Sequence, residues 1–237
     1  MLRVNRGDEK AVVASGATCA CLLKLHILVN MLVPLPPRDR ELIQIMDSAL
    51  ADATQRAGEW LLCRKGCTKC CIGTFAINQL DAARLRHGLA SLEISDPQRA
   101  ARVKQRTEQT VQRLSATFPG NPATGILAVG EEAEDRFADF ANDEPCPVLD
   151  PTTGACDLYE FRPMICRTFG PPVHAEDEDE DTLGVCELCF DGASDEEVAA
   201  CEMKVDPDGL EPKLLEELER STGTSGNTIV AFSFIDT

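Results

Sequence analysis

Cysteines in short-range clusters are the feature of this chain that could do chemistry. Ten of the twelve cysteines lie within residues 63–201, and the first cluster reads C-R-K-G-C-T-K-C-C over residues 63–71. A second cluster spans residues 145–169, and a third consists of a C-x2-C pair followed by one more cysteine, namely Cys186, Cys189 and Cys201. Thiols two or three residues apart suit a metal, because a short loop can direct two sulfurs at one ion. The spacing therefore predicts a metal-binding protein.

The state of these thiols bears on the compartment. In a secreted protein the cysteines would pair as disulfides, whereas in the reducing cytosol they stay free to bind metal. Cys70 and Cys71 are adjacent in the sequence, and vicinal cysteines cannot bridge each other without strain. We therefore expect a cytoplasmic protein in which disulfides are not the main role of the cysteines.

The number of metal ions and the partition of ligands stay open from the sequence. A zinc or iron ion takes about four thiolate or imidazole ligands. Cys70 and Cys71 are too close to serve one ion easily, so we expect them to point apart. The second cluster offers three sulfurs and needs a partner, for which the natural donors are Cys67, Cys70 or Cys71. A second site could be completed by Cys186, Cys189 and Cys201.

Basic side chains accompany the clusters, although the chain is acidic. Several thiolates on one divalent ion leave surplus negative charge, which cations can offset while they donate hydrogen bonds to sulfur. Salt bridges to surface acids are the alternative role. The cations in question are Arg64, Lys65 and Lys69 in the first cluster, and Arg162 and Arg167 around Cys166.

The overall charge limits the possible partners. The 237 residues carry a formal net charge of −17 at pH 7, which repels nucleic acids and anionic membranes, so neither is expected as a partner. Residues 84–113 are an exception, with seven Arg or Lys against three acids. We expect this stripe to be a solvated helix face, with docking of a protein partner through the basic helix at residues 97–117 as the alternative.

Hydrophobic periodicity and capping residues predict the helices that deliver the cysteines. Residues 38–62 have helical spacing and lead directly to the first cluster. Asn78 is suited to cap a helix that begins at Gln79, and Asp96 precedes a helix over residues 97–117. Within the first cluster, Gly66 provides the turn that a chelating loop needs.

The second half of the chain predicts a small β element among helices. Residues 145–158 have the pattern of a hairpin, and a short helical turn carrying Cys166 follows. The final residues 228–235 are apolar and β-prone, as an edge strand or a tail. We expect an α+β fold, mostly α-helical, with a small irregular β-hairpin element packed with helices around the cysteine cluster. The expected segments are a non-native or disordered extension (1–30), the cysteine-cluster domain (31–205), and a C-terminal helix and tail (206–237).

Three motifs together resemble a known family. They are C-x3-C-x2-C-C, P-C-P-x-L-D and G-x-C-x-x-Y-E-x-R-P-x-x-C-R-x-F, within residues 63–169. They resemble the bacterial YkgJ-like cysteine-cluster family, described as a zinc- or iron-chelating domain and sometimes as an iron–sulfur oxidoreductase. The resemblance implies that Tyr159, Arg162, Pro163 and Arg167 surround the site, with Arg162 and Arg167 as cofactor-binding candidates. The implied metal ligands are Cys63, Cys67, Cys70, Cys71, Cys146, Cys156 and Cys166.

Two functions remain open at this point. The first is a metal-binding module that chelates zinc or iron, with its reaction unknown. The alternative is an iron–sulfur protein with redox or methyl-transfer activity, because Cys63, Cys67 and Cys70 have the C-x3-C-x2-C spacing of radical S-adenosylmethionine enzymes. Lys69 stands where those enzymes usually have an aromatic residue, and the chain lacks their alternating β-α repeats. The resemblance also extends to part of the flagellin lysine methylases, which keeps methyl transfer as an option.

Overall fold

The structure, a computed structural model, describes residues 32–64, 66–174 and 183–235. About half of these described residues are helical. The predicted extension at residues 1–30, Lys65 and the acidic run at residues 176–181 lie outside the described residues. The helices found in the described residues are α1 (Asp39–Ala57), α2 (Gln79–Ser95), α3 (Pro97–Leu114), α4 (Glu131–Ala138), α5 (Met164–Thr168), α6 (Asp195–Ala200) and α7 (Leu210–Thr222).

Helices α2 and α3 begin where the sequence predicts. The Asn78 side chain accepts a hydrogen bond from the Asp81 backbone N–H at 3.0 Å and caps α2. The Asp96 side chain accepts from the Arg99 N–H at 3.0 Å, and Pro97 occupies the first helical position of α3. Both predicted starts are confirmed, because a capping side chain satisfies an N–H that has no partner within the helix.

The strands are short and pair only with their neighbours. In the part of the chain that the structure describes, three antiparallel two-stranded sheets join β1 (Gly120–Asn121) to β2 (Ile126–Leu127), β3 (Leu149–Asp150) to β4 (Ala155–Cys156), and β5 (Val173–His174) to β6 (Leu183–Gly184). In the second sheet Leu149 faces Cys156, which confirms the hairpin within residues 145–158. The mostly helical α+β class is likewise confirmed. None of the described helices combines the length and the hydropathy that crossing a bilayer requires.

Helix α2 contributes to two apolar clusters and so supports the segments that carry Cys146, Cys156 and Cys166. On one side Leu80 packs with residues of α1 and α7 and with Met164 of α5. On the other side Leu85 packs with Val103 of α3 and with residues of the hairpin. Cys146 and Cys156 pack against this second cluster. A Cβ atom on Gly88 would stand 2.7 Å from Cβ of Phe161. Glycine therefore lets α2 approach the turn that precedes Cys166.

The prediction that residues 228–235 form an edge strand or a tail is wrong. Thr228 forms a single bridge with Ile77, and a 3₁₀ turn follows at Phe232–Phe234. Phe232 is only 2% exposed, and its ring stacks on that of Phe118 with centroids 4.1 Å apart. Burial of these apolar side chains replaces strand pairing, since a lone β-prone segment gains more from packing than from an exposed edge.

Candidate metal centre

The structure brings the sequence clusters into two neighbourhoods. The outer group, Cys63, Cys67, Cys186 and Cys189, lines a narrow cleft of about 20 Å³. The inner group, Cys146, Cys156 and Cys166, lies close enough together that each thiolate would repel its neighbours. Cys70 lines the outer cleft and also opposes charge on Cys146 and Cys166. Cys70 therefore lies between the two groups.

The outer group is formed where two loops run against each other. The Phe190 backbone N–H donates to the Trp60 carbonyl at 3.0 Å, and the Cys189 N–H donates to the Cys186 carbonyl at 2.8 Å. The backbone N–H groups of Leu62 and Cys63 donate to the Cys189 sulfur. These bonds hold the start of the first cluster against the C-x2-C turn of the third.

The remaining walls of the outer cleft are almost free of hard donors. Leu62, Phe169, Gly170 and Leu188 supply carbon, and Lys69 is the one charged side chain of the lining. Lys69 forms an exposed ion pair with Glu187 at 2.6 Å. Because the lining contains neither a carboxylate nor an imidazole, its donor chemistry is that of soft thiolates, which suits zinc, copper(I) or iron–sulfur clusters rather than magnesium or calcium.

The inner group lies on regular structure. Cys146 precedes the hairpin, Cys156 ends β4, and Cys166 lies in α5. Backbone N–H groups of Val148 and Leu149 donate to the Cys146 sulfur, and that of Leu158 donates to the Cys156 sulfur. N–H···S bonds of this kind stabilise thiolates and fix their orientation in metal sites.

A buried carboxylate fastens the hairpin to α3. Asp157, next to Cys156, accepts from Arg106 at 2.5 Å and also from Arg99. The expectation that the basic stripe is a solvated face is therefore wrong for these residues, because the hairpin provides a carboxylate that binds them. Arg84 of the same stripe is only 2% exposed. The sequence showed the cations but gave no signal that Asp157 was their partner.

A second buried network fixes the start of α5. Both carboxylate oxygens of Asp81 accept the Met164 N–H at 3.0 Å, and Oδ1 of Asp81 also accepts from Arg84 at 2.7 Å. Arg84 in turn donates to Asp39 of α1 at 2.8 Å. Burial raises the pKa of Asp81, and Arg84 opposes this rise. Asp81 thus connects α1 and α2 to the helix that carries Cys166, a role that sequence reasoning missed.

The two predicted cofactor-binding arginines contact oxygen atoms and one aromatic ring. Arg167 is 1% exposed and donates to Asp47 at 2.5 Å and to the Glu160 carbonyl at 2.7 Å. Arg162 donates to the Tyr159 carbonyl at 2.9 Å and lies over the Tyr159 ring, 4.0 Å from its centroid. These contacts hold the segment before Cys166 against α1. Binding of a cofactor by either side chain stays a prediction.

Crowding and burial make the metal-free thiols poor acids. Burial, together with the neighbouring thiols of Cys67, Cys70, Cys189 and Cys186, raises the pKa of Cys63 to about 11. Burial raises the pKa of Cys146 to about 12, against the opposing effect of the Val148 N–H. A hydrogen bond with the Cys71 thiol, together with burial, raises the pKa of Cys70 strongly, so the expectation that these two side chains point apart is wrong. Thiols that resist ionisation together are a donor set that a cation would stabilise, since metal ligation requires thiolates.

The donor set fits zinc or iron by its chemistry, although the sulfurs are not arranged as a closed cage. All ten cysteines of the described residues are free thiols. Within residues 32–64, 66–174 and 183–235, no three Cys, His, Asp or Glu side chains converge closely enough to hold an ion. Binding therefore requires rotation of the cysteine side chains. Cys201, an open candidate from the sequence, is buried in a core cluster with Ala57, Phe190 and Cys189 and does not line the outer cleft.

Comparison with protein families gives one match. A family model described as "CxxCxxCC: Putative zinc- or iron-chelating domain" covers residues 62–189, just over half of the chain. The matched region begins beside Cys63 and ends at Cys189, so it includes both groups of cysteines. The comparisons with curated proteins and with solved structures found no significant match.

Proposed function

The chain belongs to the CxxCxxCC family of zinc- or iron-chelating domains, and on that premise we propose that its function is to bind zinc or iron through clustered thiolates. The observation that carries the proposal is the approach of free thiols from three separate sequence clusters. The seven cysteines implied by the motifs are the candidates for these ligands: Cys63, Cys67, Cys70, Cys71, Cys146, Cys156 and Cys166.

The chain's own groups support binding in two ways. Backbone N–H groups directed at Cys146, Cys156 and Cys189 stabilise the thiolate form of each sulfur. Arg162 and Arg99 oppose the rise in the pKa of Cys156 that burial causes. A bound cation would supply the positive charge that the crowded thiols lack and would cross-link segments distant in the sequence. Each thiol that ligates loses its proton to solvent.

An iron–sulfur protein with redox or methyl-transfer activity is the second candidate. One observation favours it: Cys63, Cys67 and Cys70, the C-x3-C-x2-C set, all line one cleft. Cluster ligation by these three cysteines would bring visible thiolate-to-iron absorption in protein purified without oxygen. A colourless anaerobic preparation that carries zinc would exclude this candidate.

Metal content after anaerobic purification tests the proposal. We expect the wild-type protein to carry zinc or iron in whole-number stoichiometry by elemental mass spectrometry. Replacement of Cys146, Cys156 and Cys166 by serine should lower that content, whereas Cys201→Ala, which removes a buried thiol that does not line the outer cleft and keeps the core apolar, should leave it unchanged. A wild-type protein that stays metal-free, and that neither Zn²⁺ nor Fe²⁺ stabilises against unfolding, would contradict the proposal.

A further inference from the structure

We infer that the outer group is a metal site of its own, in which Cys186 and Cys189 join Cys63 and Cys67 to hold a single thiophilic divalent ion. This inference rests on the proposed function and deepens it. It assigns ligand roles to two cysteines that lie outside the motif set, and it separates one centre from the inner group.

The geometry of the outer cleft carries the inference. All four sulfur-bearing residues line the same cleft, two from each of the loops that the Phe190–Trp60 hydrogen bond joins. Each loop contributes a pair of cysteines with a short gap, three residues in the first and two in the second. Two short chelating turns facing each other form the usual four-thiolate zinc site, with Zn–S distances of about 2.3 Å.

The size and lining of the cleft limit what it can hold. Its volume of about 20 Å³ is close to the roughly 10–15 Å³ that one water-sized occupant needs. A single ion fits this space better than a multi-iron cluster. The carbon walls come from Leu62, Phe169 and Leu188, which are 52%, 39% and 43% exposed, so an ion in the cleft would lie close to solvent.

Cys70 lies between the two groups, and the inner group needs it more than the outer group does. Its thiol is hydrogen-bonded to that of Cys71, and its charge would act on Cys63 of the outer group as well as on Cys146 and Cys166 of the inner group. With Cys186 and Cys189 completing the outer group, Cys70 is free to be the fourth donor beside Cys146, Cys156 and Cys166. Each centre then has four sulfurs, and each ion that binds displaces up to four protons to solvent.

Cobalt titration of the metal-free protein tests this division, because Co²⁺ reports thiolate ligation by its absorption. We expect two Co²⁺ per wild-type chain, and one per chain both in Cys186→Ser/Cys189→Ser and in Cys156→Ser/Cys166→Ser. Binding of the outer ion should also change the fluorescence of Trp60, the single tryptophan, because its carbonyl is bonded to the residue after Cys189. Cys201→Ala, which removes the thiol packed beside Cys189 but outside the cleft lining, is the matched control and should bind two.

The possible results distinguish failure of the separate outer centre from failure of metal binding as a whole. If Cys186→Ser/Cys189→Ser still binds two Co²⁺, or if each double variant loses both ions, the separate outer centre is wrong while metal binding stands. If wild-type protein binds none, the proposed function fails as well. A measurement without variants guards against misfolding: Zn²⁺ should protect Cys186 and Cys189 of the wild type from alkylation, as mapped by mass spectrometry. Unchanged alkylation of both cysteines in zinc-loaded protein would overturn the inference.

Discussion

The outer and inner groups present the same thiol chemistry on two different supports. The outer group lies in loops held together by a few backbone hydrogen bonds, and Cys63 is exposed. The inner group lies on a hairpin and a helix that two buried carboxylates, Asp157 and Asp81, fasten to α3 and α2. Cysteine spacing alone therefore does not determine how rigid a thiol site is. That rigidity depends on buried polar contacts behind the ligands.

The two supports should also differ in how much the ligands reorganise when metal binds. Ligands held by packing and hydrogen bonds need little reorganisation when a metal binds, whereas ligands on pliable loops must be ordered at that moment. We therefore expect metal bound at the inner group to exchange more slowly than metal bound at the outer group. The variants described next test this difference between the two groups, beginning with the one expected to change the protein most.

Asp81→Asn should have the largest effect. The change removes the charge that faces Arg84 and weakens the bond to the Met164 N–H. Breaking a buried ion pair on one side costs about 3–5 kcal/mol, so the free energy of unfolding in urea should fall by about that amount. Alkylation of Cys166 in folded, metal-free protein should become faster, while that of Cys63 stays the same.

The matched control for Asp81→Asn is Glu41→Gln. Glu41 forms an exposed ion pair with Arg38 at 2.7 Å, and exposed pairs contribute little. This variant should unfold like the wild type. Equal alkylation rates for Cys166 in Asp81→Asn and in the wild type would show that Asp81 supports the fold without positioning the inner group.

The pH dependence of the metal-free protein should be the next largest effect. The folded pKa values of Cys63 and Cys146 are about 11 and about 12, above the ordinary value of 9.0. A raised folded pKa stabilises the protein below the unfolded pKa, and the contribution is lost as pH rises through the folded value. Stability of metal-free protein should therefore decline from about pH 9 towards pH 12, as measured by urea unfolding.

Metal should reverse this dependence. Ligated cysteines are thiolates, so protons compete with the ion and the loaded protein should lose stability as the pH falls. Cys146→Ser and Cys63→Ser should each flatten the alkaline decline of the metal-free protein, because the pKa of both thiols is raised in the folded state. An alkaline decline that is identical in wild type and in both variants would argue against a contribution from these thiols.

Gly170→Ala should disturb the outer group selectively. Gly170 has φ +119°, and a Cβ atom there would stand 3.3 Å from Cβ of Cys63. Backbone strain of this kind costs about 1–3 kcal/mol, and the new contact should displace Cys63 and weaken Zn²⁺ binding at the outer group. Competition with a chromophoric chelator measures this affinity.

Gly192→Ala separates strain from contact. Gly192 also has positive φ, at +78°, but a Cβ atom there meets nothing within 4 Å. Both alanine variants should lose stability, and only Gly170→Ala should lose zinc affinity. If both lose affinity equally, the close approach to Cys63 is irrelevant to binding.

Lys69→Gln should have the smallest effect. The Lys69–Glu187 pair is exposed on both sides and joins the two loops of the outer group. Loss of such a pair should leave unfolding unchanged, while dissociation of zinc from the outer group becomes slightly faster at low salt and equal to wild type at high salt. Arg220→Gln, which breaks the exposed Arg220–Glu216 pair far along α7, is the control and should alter neither measurement.

Local signals in the sequence predicted much of the fold, but contacts between residues distant in the sequence could not be predicted. The starts of α2 and α3 follow from Asn78 and Asp96, because capping is a contact over three residues. The hairpin follows from its turn residues. The partner of Arg99 and Arg106 lies more than 50 residues away at Asp157, and no periodicity reveals such a pair. The burial of Phe232 against Phe118 was hidden for the same reason.

The candidate site shows the same division. Motif spacing indicated which cysteines act together locally, and the expectation that Cys146, Cys156 and Cys166 need a donor from the first cluster is consistent with the position of Cys70. Spacing could not indicate that the C-x2-C turn of Cys186 and Cys189 lies against Cys63, because that contact depends on how the whole chain folds back.

The contact between the loop after Trp60 and the loop before Phe190 has a consequence for synthesis of the chain. About 120 residues separate Cys67 from Cys186, and ribosomes add about 5–20 residues per second. The nascent polypeptide therefore carries Cys63 and Cys67 for roughly 6–24 seconds before the loop that faces them exists. Cys166 is made earlier than Cys186, so the buried hairpin side of the molecule can assemble first and the exposed side closes last.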